Sequence, residues 1–171
     1  VEIVDFIIRA ADQASQDHLG YRLTDPNVHI LDPFTGTGTF IVRLLQTGAI
    51  RPDDLTRKYT QELWANEIVL LAYYIACVNI ETTYQAVQQE THPDQTIDYT
   101  PFPGATLTDT FQITENGDKA DTSLIPVNNT RIETELAAPI KVILGNPPYS
   151  AGQDSANDNN ANLAYPTLDA R

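Results

Sequence analysis

Val28-His29-Ile30-Leu31-Asp32-Pro33-Phe34-Thr35-Gly36-Thr37-Gly38-Thr39-Phe40 decides the fold. Val28 to Leu31 is a short apolar run ending in an acid, the pattern of a buried parallel strand. A turn with two glycines follows. From Thr39 to Gln46, Phe40, Ile41, Leu44 and Leu45 fall on one helical face, and Gly48 closes that helix. Strand, glycine turn and helix in this order open a βαβ unit.

Upstream, apolar positions 3, 4, 7, 8, 11 and 14 recur at helical spacing, so residues 1 to 18 read as an amphipathic helix ended by Gly20. Downstream, residues 52–60 read as a short polar helix and Leu63-Trp64-Ala65 as a second strand. The longest helix is expected from Glu67 to Gln89, apolar almost all round at its start and therefore buried. Residues 90–104 hold three prolines and read as a loop, and Ala105-Thr106-Leu107 as a third strand. Residues 112–128 read as polar and mobile, residues 129–138 as a helix, and Lys141 to Leu144 as a fourth strand. Residues 150–171 form a polar tail without core periodicity. Alternating strands and helices predict an α/β fold with a parallel sheet, in which ligands bind beyond the carboxyl ends of the strands.

Every chemically suggestive group falls at that edge. In the first turn, Gly36 and Gly38 let backbone approach a ligand at a helix N-terminus, although a plain structural turn would use the same residues. A Rossmann dinucleotide site fits poorly, because Ile41 stands where the third glycine belongs, and no Gly-Lys-Ser/Thr follows for a P-loop. Asp32 would repel a pyrophosphate and favours a ligand with positive charge. Glu67, after the second strand, can accept hydrogen bonds from both hydroxyls of a ribose, or simply serve the helix that follows it. Asp109 can accept from an adenine amine. Asn146-Pro147-Pro148-Tyr149 follows the fourth strand: the prolines hold their carbonyls rigidly, Asn146 adds a side-chain acceptor and Tyr149 a flat ring. Together they suit a planar amine.

The chain has 171 residues, 42% hydrophobic and 19% charged, which suits one globular domain. Its 23 acids and 10 bases give a net charge of −13, which excludes a free-standing basic nucleic-acid binder. The single cysteine, Cys77, cannot form an internal disulfide and fits a reducing cytoplasm, as an ordinary buried thiol. His18, His29 and His92 lack ligand spacing, so no metal is expected. No apolar run is long enough for a membrane span. There is no methionine at all, and the pattern opens inside an amphipathic helix, so the chain reads as part of a longer protein.

DPFTGTGTF, the acid after the second strand, Asp109 and GNPPYS resemble motifs I to IV of the S-adenosyl-L-methionine-dependent methyltransferases that act on DNA adenine. VEIVDFIIRAAD resembles the motif X helix that precedes motif I in gamma-ordered members. ANEIVLLAYYIACVNIE and GNPPYSAGQDSANDNN resemble the methyltransferase region of Type ISP restriction–modification enzymes, which join nuclease, helicase-like translocase, methyltransferase and target-recognition parts in one polypeptide. The resemblance implies a Rossmann-like fold with strand order 3-2-1-4-5-7-6, of which residues 1–171 supply strands one to four. On this resemblance the later motifs and the target-recognition domain are expected to lie outside residues 1–171. It implies S-adenosyl-L-methionine as cofactor, with Glu67 on the ribose, Asp109 on the adenine amine, Ile68 against the ring, Asp32 near the methionine end, and Thr35, Gly36 and Gly38 lining the pocket. Asn146, Pro147, Pro148 and Tyr149 would serve the flipped target adenine. Double-stranded DNA would be contacted through other parts of the parent chain, and strand four, lacking its neighbour, would self-associate or be covered by the tail. The NPPY tetrapeptide also occurs in enzymes methylating RNA or protein glutamine, and a non-catalytic cofactor-binding module is the remaining alternative.

Overall fold

The computed structural model describes residues 1–111, 113 and 126–148. The polar tail, Tyr149 and most of the acidic stretch from 112 lie outside the described residues. Helix α1 (Glu2–Leu19) leads into β1 (His29–Asp32), α2 (Thr39–Gln46) and α3 (Pro52–Arg57). A π-helical turn (Lys58–Glu62) delivers the chain to β2 (Leu63–Glu67). Then come α4 (Leu70–Thr91), β3 (Ala105–Leu107), α5 (Pro126–Ala137) and β4 (Ile140–Ile143). The described strands form one sheet in the order β3-β2-β1-β4, every pair parallel. This is a Rossmann-like arrangement with helices packed on the sheet, and it has the 3-2-1-4 order that the resemblance implied.

Strand alternation assigns the two faces. Ile30 is in register with Leu63 and with Val142, and these join Ala65 and Ala105 in the main core. Onto that face pack Ile8 of α1, Ile41, Leu44 and Leu45 of α2, and Ala76, Ile80 and Tyr84 of α4. Asn66 and Thr106 face the other way, and α5 covers them: Glu135 accepts from Asn66 Nδ2 at 2.8 Å and from Thr106 Oγ1 at 3.2 Å. Arg43 of α2 grips both carboxylate oxygens of Asp5 at 2.7 Å, which holds α1 against α2 and draws the Asp5 carboxyl below the usual range.

Two expectations are corrected and a third, the second below, is refined. The start of α4 is not buried: Leu70, Leu71, Tyr74, Ile75 and Val78 are exposed, Leu71 by 70%. A helix packed on one layer buries one stripe, here Ala76, Ile80, Tyr84 and Gln88 at four-residue spacing, however apolar its other faces are. The helix also begins at Leu70 and not at Glu67, which is the last residue of β2. Second, the short polar helix expected over 52–60 is present as α3 and the start of the π-helical turn, but its polar composition does not keep it out of the core. Leu55, Lys58, Tyr59 and Glu62 are all buried. The Lys58 ammonium, 0% exposed, donates to the carbonyls of Asp25 (2.8 Å) and Val28 (2.7 Å) and pairs with Glu62 at 2.8 Å. Tyr59 stacks on Tyr84 with centroids 3.7 Å apart. Third, α5 begins at Pro126, so residues 126–128 are ordered helix and not mobile loop. Asn128 is buried there and stands in for a neighbouring strand, accepting from Leu107 N (2.8 Å) and donating to Leu107 O (2.9 Å).

β4 pairs with β1 alone among the described residues, and Ile143 is 65% exposed. Among the described residues no helix is long and apolar enough to cross a membrane. Cys77 is half-buried in α4, and burial pushes its thiol up.

Candidate functional site

The three strands β1, β2 and β3 end alike. Each is followed by an acid, or ends in one, that accepts the backbone amide two residues further on: Phe34 N to Asp32 Oδ1 (3.1 Å), Val69 N to Glu67 Oε1 (2.7 Å) and Phe111 N to Asp109 Oδ1 (2.9 Å). Such local bonds satisfy orphan amides and turn the chain sharply at the sheet edge. They also fix the three carboxyl groups at the same edge of the sheet. Glu67 uses its second oxygen to accept from Gly36 N at 2.8 Å, so the second strand end positions the first turn. Thr35 locks that turn further, its amide donating to Asn66 O (2.9 Å) and its hydroxyl to Asp32 O (3.0 Å). Thr110 donates to Pro33 O at 2.6 Å, tying the loop after β3 to the same place.

A cavity of about 270 Å³ opens at this edge. Gly36, Glu67, Ile68, Asp109, Asn146 and Pro148 line it, six of the residues singled out in the sequence. Phe34 and Phe111 also line it, with ring centroids 5.3 Å apart. A larger cavity of about 640 Å³ adjoins it between α1 and the glycine turn, sharing Phe34, Gly36 and Asn146. Thr35, Val4, Ile7 and Gly145 add to its walls. A third cavity, of about 630 Å³, lies around His29, Trp64 and Arg131 and contains none of the expected site residues. There Trp64 Nε1 donates to His29 Nδ1 at 3.1 Å, and burial lowers the imidazole's proton affinity. Among the described residues no group of three or more His, Cys, Asp or Glu is placed to hold a metal.

Three other expected residues line neither of the two cavities at the carboxyl edge. Gly38 adopts φ +90°, and a Cβ there would stand 3.2 Å from Ile80 Cγ1 and 3.3 Å from Ala76 Cα. Its place is the close approach of α2 to α4. Pro147 is exposed beside Asn146. Asp32 is 1% exposed and lies beneath the floor. Desolvation lifts its pKa to about 7, opposed by the Phe34 amide and assisted by the nearby Glu67 charge. A Cβ on Gly145 would stand 2.7 Å from Asp32 Oδ1, so only glycine lets the chain after β4 cross this carboxyl. Tyr149 lies outside the described residues.

Sequence reasoning missed the Phe34–Phe111 wall and Thr110. Their signal is the repeated Asp-x-Phe of Asp32-Pro33-Phe34 and Asp109-Thr110-Phe111. It also missed the buried Asn66–Thr106–Glu135 cluster, in which Thr106 donates to Asn66 Oδ1 at 2.5 Å and burial raises the Glu135 pKa. Only the packing of α5 reveals that cluster.

No protein-family model matches the chain, and no curated protein matches it. Solved structures do. A nuclease-deletion mutant of the Type ISP restriction–modification enzyme LlaGI, in complex with a DNA substrate mimic, aligns with TM-score 0.86 and 46% identity. The match covers 99% of this chain and 14% of that one. The ATP-dependent Type ISP restriction–modification enzyme LlaBIII bound to DNA aligns with TM-score 0.86 and 46% identity, over 99% of this chain and 11% of that one. The DrdV–DNA complex aligns with TM-score 0.83 and 39% identity, over 99% and 16%. Over nearly its whole length the chain is therefore similar to a portion, between 11% and 16%, of much longer proteins solved with DNA, two of them Type ISP restriction–modification enzymes.

Proposed function

We propose that this chain is the cofactor-binding part of the methyltransferase region of a restriction–modification enzyme. In this reading it holds S-adenosyl-L-methionine, which supplies an electrophilic methyl group, for transfer to the exocyclic amine of an adenine in DNA. The observation that carries the reading is the convergence of Gly36, Glu67, Ile68, Asp109, Asn146 and Pro148 on one cavity at the carboxyl edge of the sheet.

The donor set suits that ligand. A carboxylate offers about four lone-pair sites. The backbone amides of Gly36 and Val69 take one on each Glu67 oxygen, which fixes the group and leaves the others for two ribose hydroxyls. Asp109, held by the Phe111 amide, accepts from the adenine amine, and Ile68, half exposed on the rim, packs on its ring. Asn146 and the Pro147 carbonyl accept the hydrogens of the target amine as its nitrogen gains positive charge, a preorganised stabilisation that water could not supply. Tyr149 stacks on the target base, which must leave the duplex to expose its amine. With a net charge of −13, the chain relies on other parts of the longer enzyme for contact with DNA phosphates.

Calorimetric titration with S-adenosyl-L-methionine, with NAD as control, tests the reading. Glu67→Ala should abolish detectable binding and Asn146→Ala should spare it. In the longer enzyme Asn146→Ala should abolish methylation of adenine-containing duplex. Equal loss of cofactor affinity in both variants would overturn this division of roles.

A further inference from the structure

We propose that Glu135 of α5 is a positioning residue for the cavity at the carboxyl edge: it closes a ring of three hydrogen bonds with Asn66 and Thr106 that fixes the ends of β2 and β3, where Glu67 and Asp109 stand. Glu135 itself lines neither cavity at that edge. The inference rests on the reading that the two strand-end carboxylates hold S-adenosyl-L-methionine.

Asn66 and Thr106 are a cross-strand pair in register, and both side chains leave the sheet toward α5. Asn66 is 1%, Thr106 0% and Glu135 3% exposed, so their polar groups have to satisfy one another. Asn66 Nδ2 lies 2.8 Å from Glu135 Oε1, and Thr106 Oγ1 lies 2.5 Å from Asn66 Oδ1. The circle closes with 3.2 Å between Thr106 Oγ1 and Glu135 Oε2. Three contacts in a circle need three donated hydrogens. The amide supplies one and the hydroxyl one, in whichever sense the circle runs. The third comes from Glu135, which completes the ring as a neutral acid, donating from one oxygen and accepting on the other. Burial pushes its carboxyl in the same direction, against the pull of the two hydrogen bonds. Arg131, one turn earlier on α5, is engaged by Tyr73 Oη and Ala105 O. Among the described residues no charged group of β2, β3 or α5 acts on Glu135.

The ring reaches the cavity through the backbone. The Asn66 carbonyl accepts the Thr35 amide at 2.9 Å, and the adjoining Glu67 side chain takes the Gly36 amide. The Glu67 carbonyl accepts from the amide of Thr108, the residue before Asp109, at 3.0 Å. Asn66 and Thr108 both line the smaller cavity. Seven residues before Glu135 on the same helix, Asn128 holds both backbone groups of Leu107. Helix α5 thus grips β2 and β3 one residue short of the groups that would touch the ligand. Opening the ring frees Asn66 to turn, and Thr35, Gly36 and Glu67 move with it.

Glu135→Gln keeps one donor and one acceptor at the same reach, so the ring survives it. Glu135→Ala and Thr106→Val, the second removing the hydroxyl and keeping the shape, both open it. The test compares the three variants with wild type, in the full chain, by calorimetric titration with S-adenosyl-L-methionine and by amide hydrogen exchange without ligand. Glu135→Gln should bind as wild type does. The other two should bind about tenfold more weakly, the loss of about one carboxylate hydrogen bond to a ribose hydroxyl. In those two the Thr35, Gly36 and Thr108 amides should lose protection, while the Leu44 and Ile80 amides of the core helices keep theirs. Should Glu135→Ala not fold, Thr106→Val and Glu135→Gln carry the comparison. Damage from Glu135→Gln equal to that from Thr106→Val would overturn the ring. Protection lost equally at the strand ends and in the core helices, or unchanged at both, would overturn the positioning role. If wild type binds no S-adenosyl-L-methionine, the cofactor reading falls, and the exchange pattern alone decides whether Glu135 sets the strand ends.

Discussion

The rings of Phe34 and Phe111 meet with centroids 5.3 Å apart and planes tilted by 40°. They are 77 residues apart in the chain, and each donates its backbone amide to an aspartate two residues before it. One turn geometry, used twice, builds an aromatic wall between the ends of β1 and β3, beside the Glu67 carboxylate that ends β2. If the wall orders both loops, the two rings are energetically coupled. A double-mutant cycle of Phe34→Ala and Phe111→Ala in urea unfolding should give about 0.5–1.5 kcal/mol of coupling. Additive effects would mean that the rings merely touch.

Asp32 predicts an unusual dependence of stability on pH. Its folded pKa, about 7, lies above the ordinary carboxylate value of 3.8, so between these values the folded state binds more protons than the unfolded state. Its contribution is therefore most favourable below about pH 4 and is lost as pH rises to about 7. Asp32→Asn should remove this fall. Relative to wild type, the variant should gain up to roughly 4 kcal/mol between pH 4 and pH 8. Urea midpoints at the two pH values measure it, and parallel profiles for the two proteins would contradict it.

Lys58 holds the carbonyls of Asp25 and Val28 and the Glu62 carboxylate, which also pairs with Arg57 and accepts from Asn27 N at 2.8 Å. Lys58→Ala strands these acceptors and leaves Glu62 with one cation in place of two. The expected loss is about 3–5 kcal/mol, large enough to unfold much of the population. Chemical denaturation, or the soluble yield if the variant collapses, checks this. A loss below about 1 kcal/mol would show that water replaces the amine at no cost.

Ile143 sets the fourth expectation. It lies on β4, exposed and apolar, beside a strand edge with no partner among the described residues. Such an edge invites pairing with another copy. Sedimentation should show association that grows with concentration, and Ile143→Lys should shift it toward monomer without loss of stability. Indifference of the wild type to concentration would refute the expectation.

The order of elements and the chemistry of the strand ends were legible in the primary structure, because both are local. An apolar run closed by an acid and a glycine turn can be read without knowing its neighbours, and so can an Asn-Pro-Pro sequence after a strand. The 3-2-1-4 sheet follows from the resemblance, and parallel crossovers alone restrict the choices. Burial was not local. The same composition placed Leu71 in solvent and Lys58 in the core, because burial depends on which stripe of a helix meets the layer beneath it. The Asn128 side chain pairs with β3 because α5 starts three residues earlier than its periodicity suggested, and burial pushes the Asp32 carboxyl up to about 7. Local sequence determined which groups reach the edge of this sheet. Desolvation by distant segments, which only the tertiary structure supplies, decided their charge and their company.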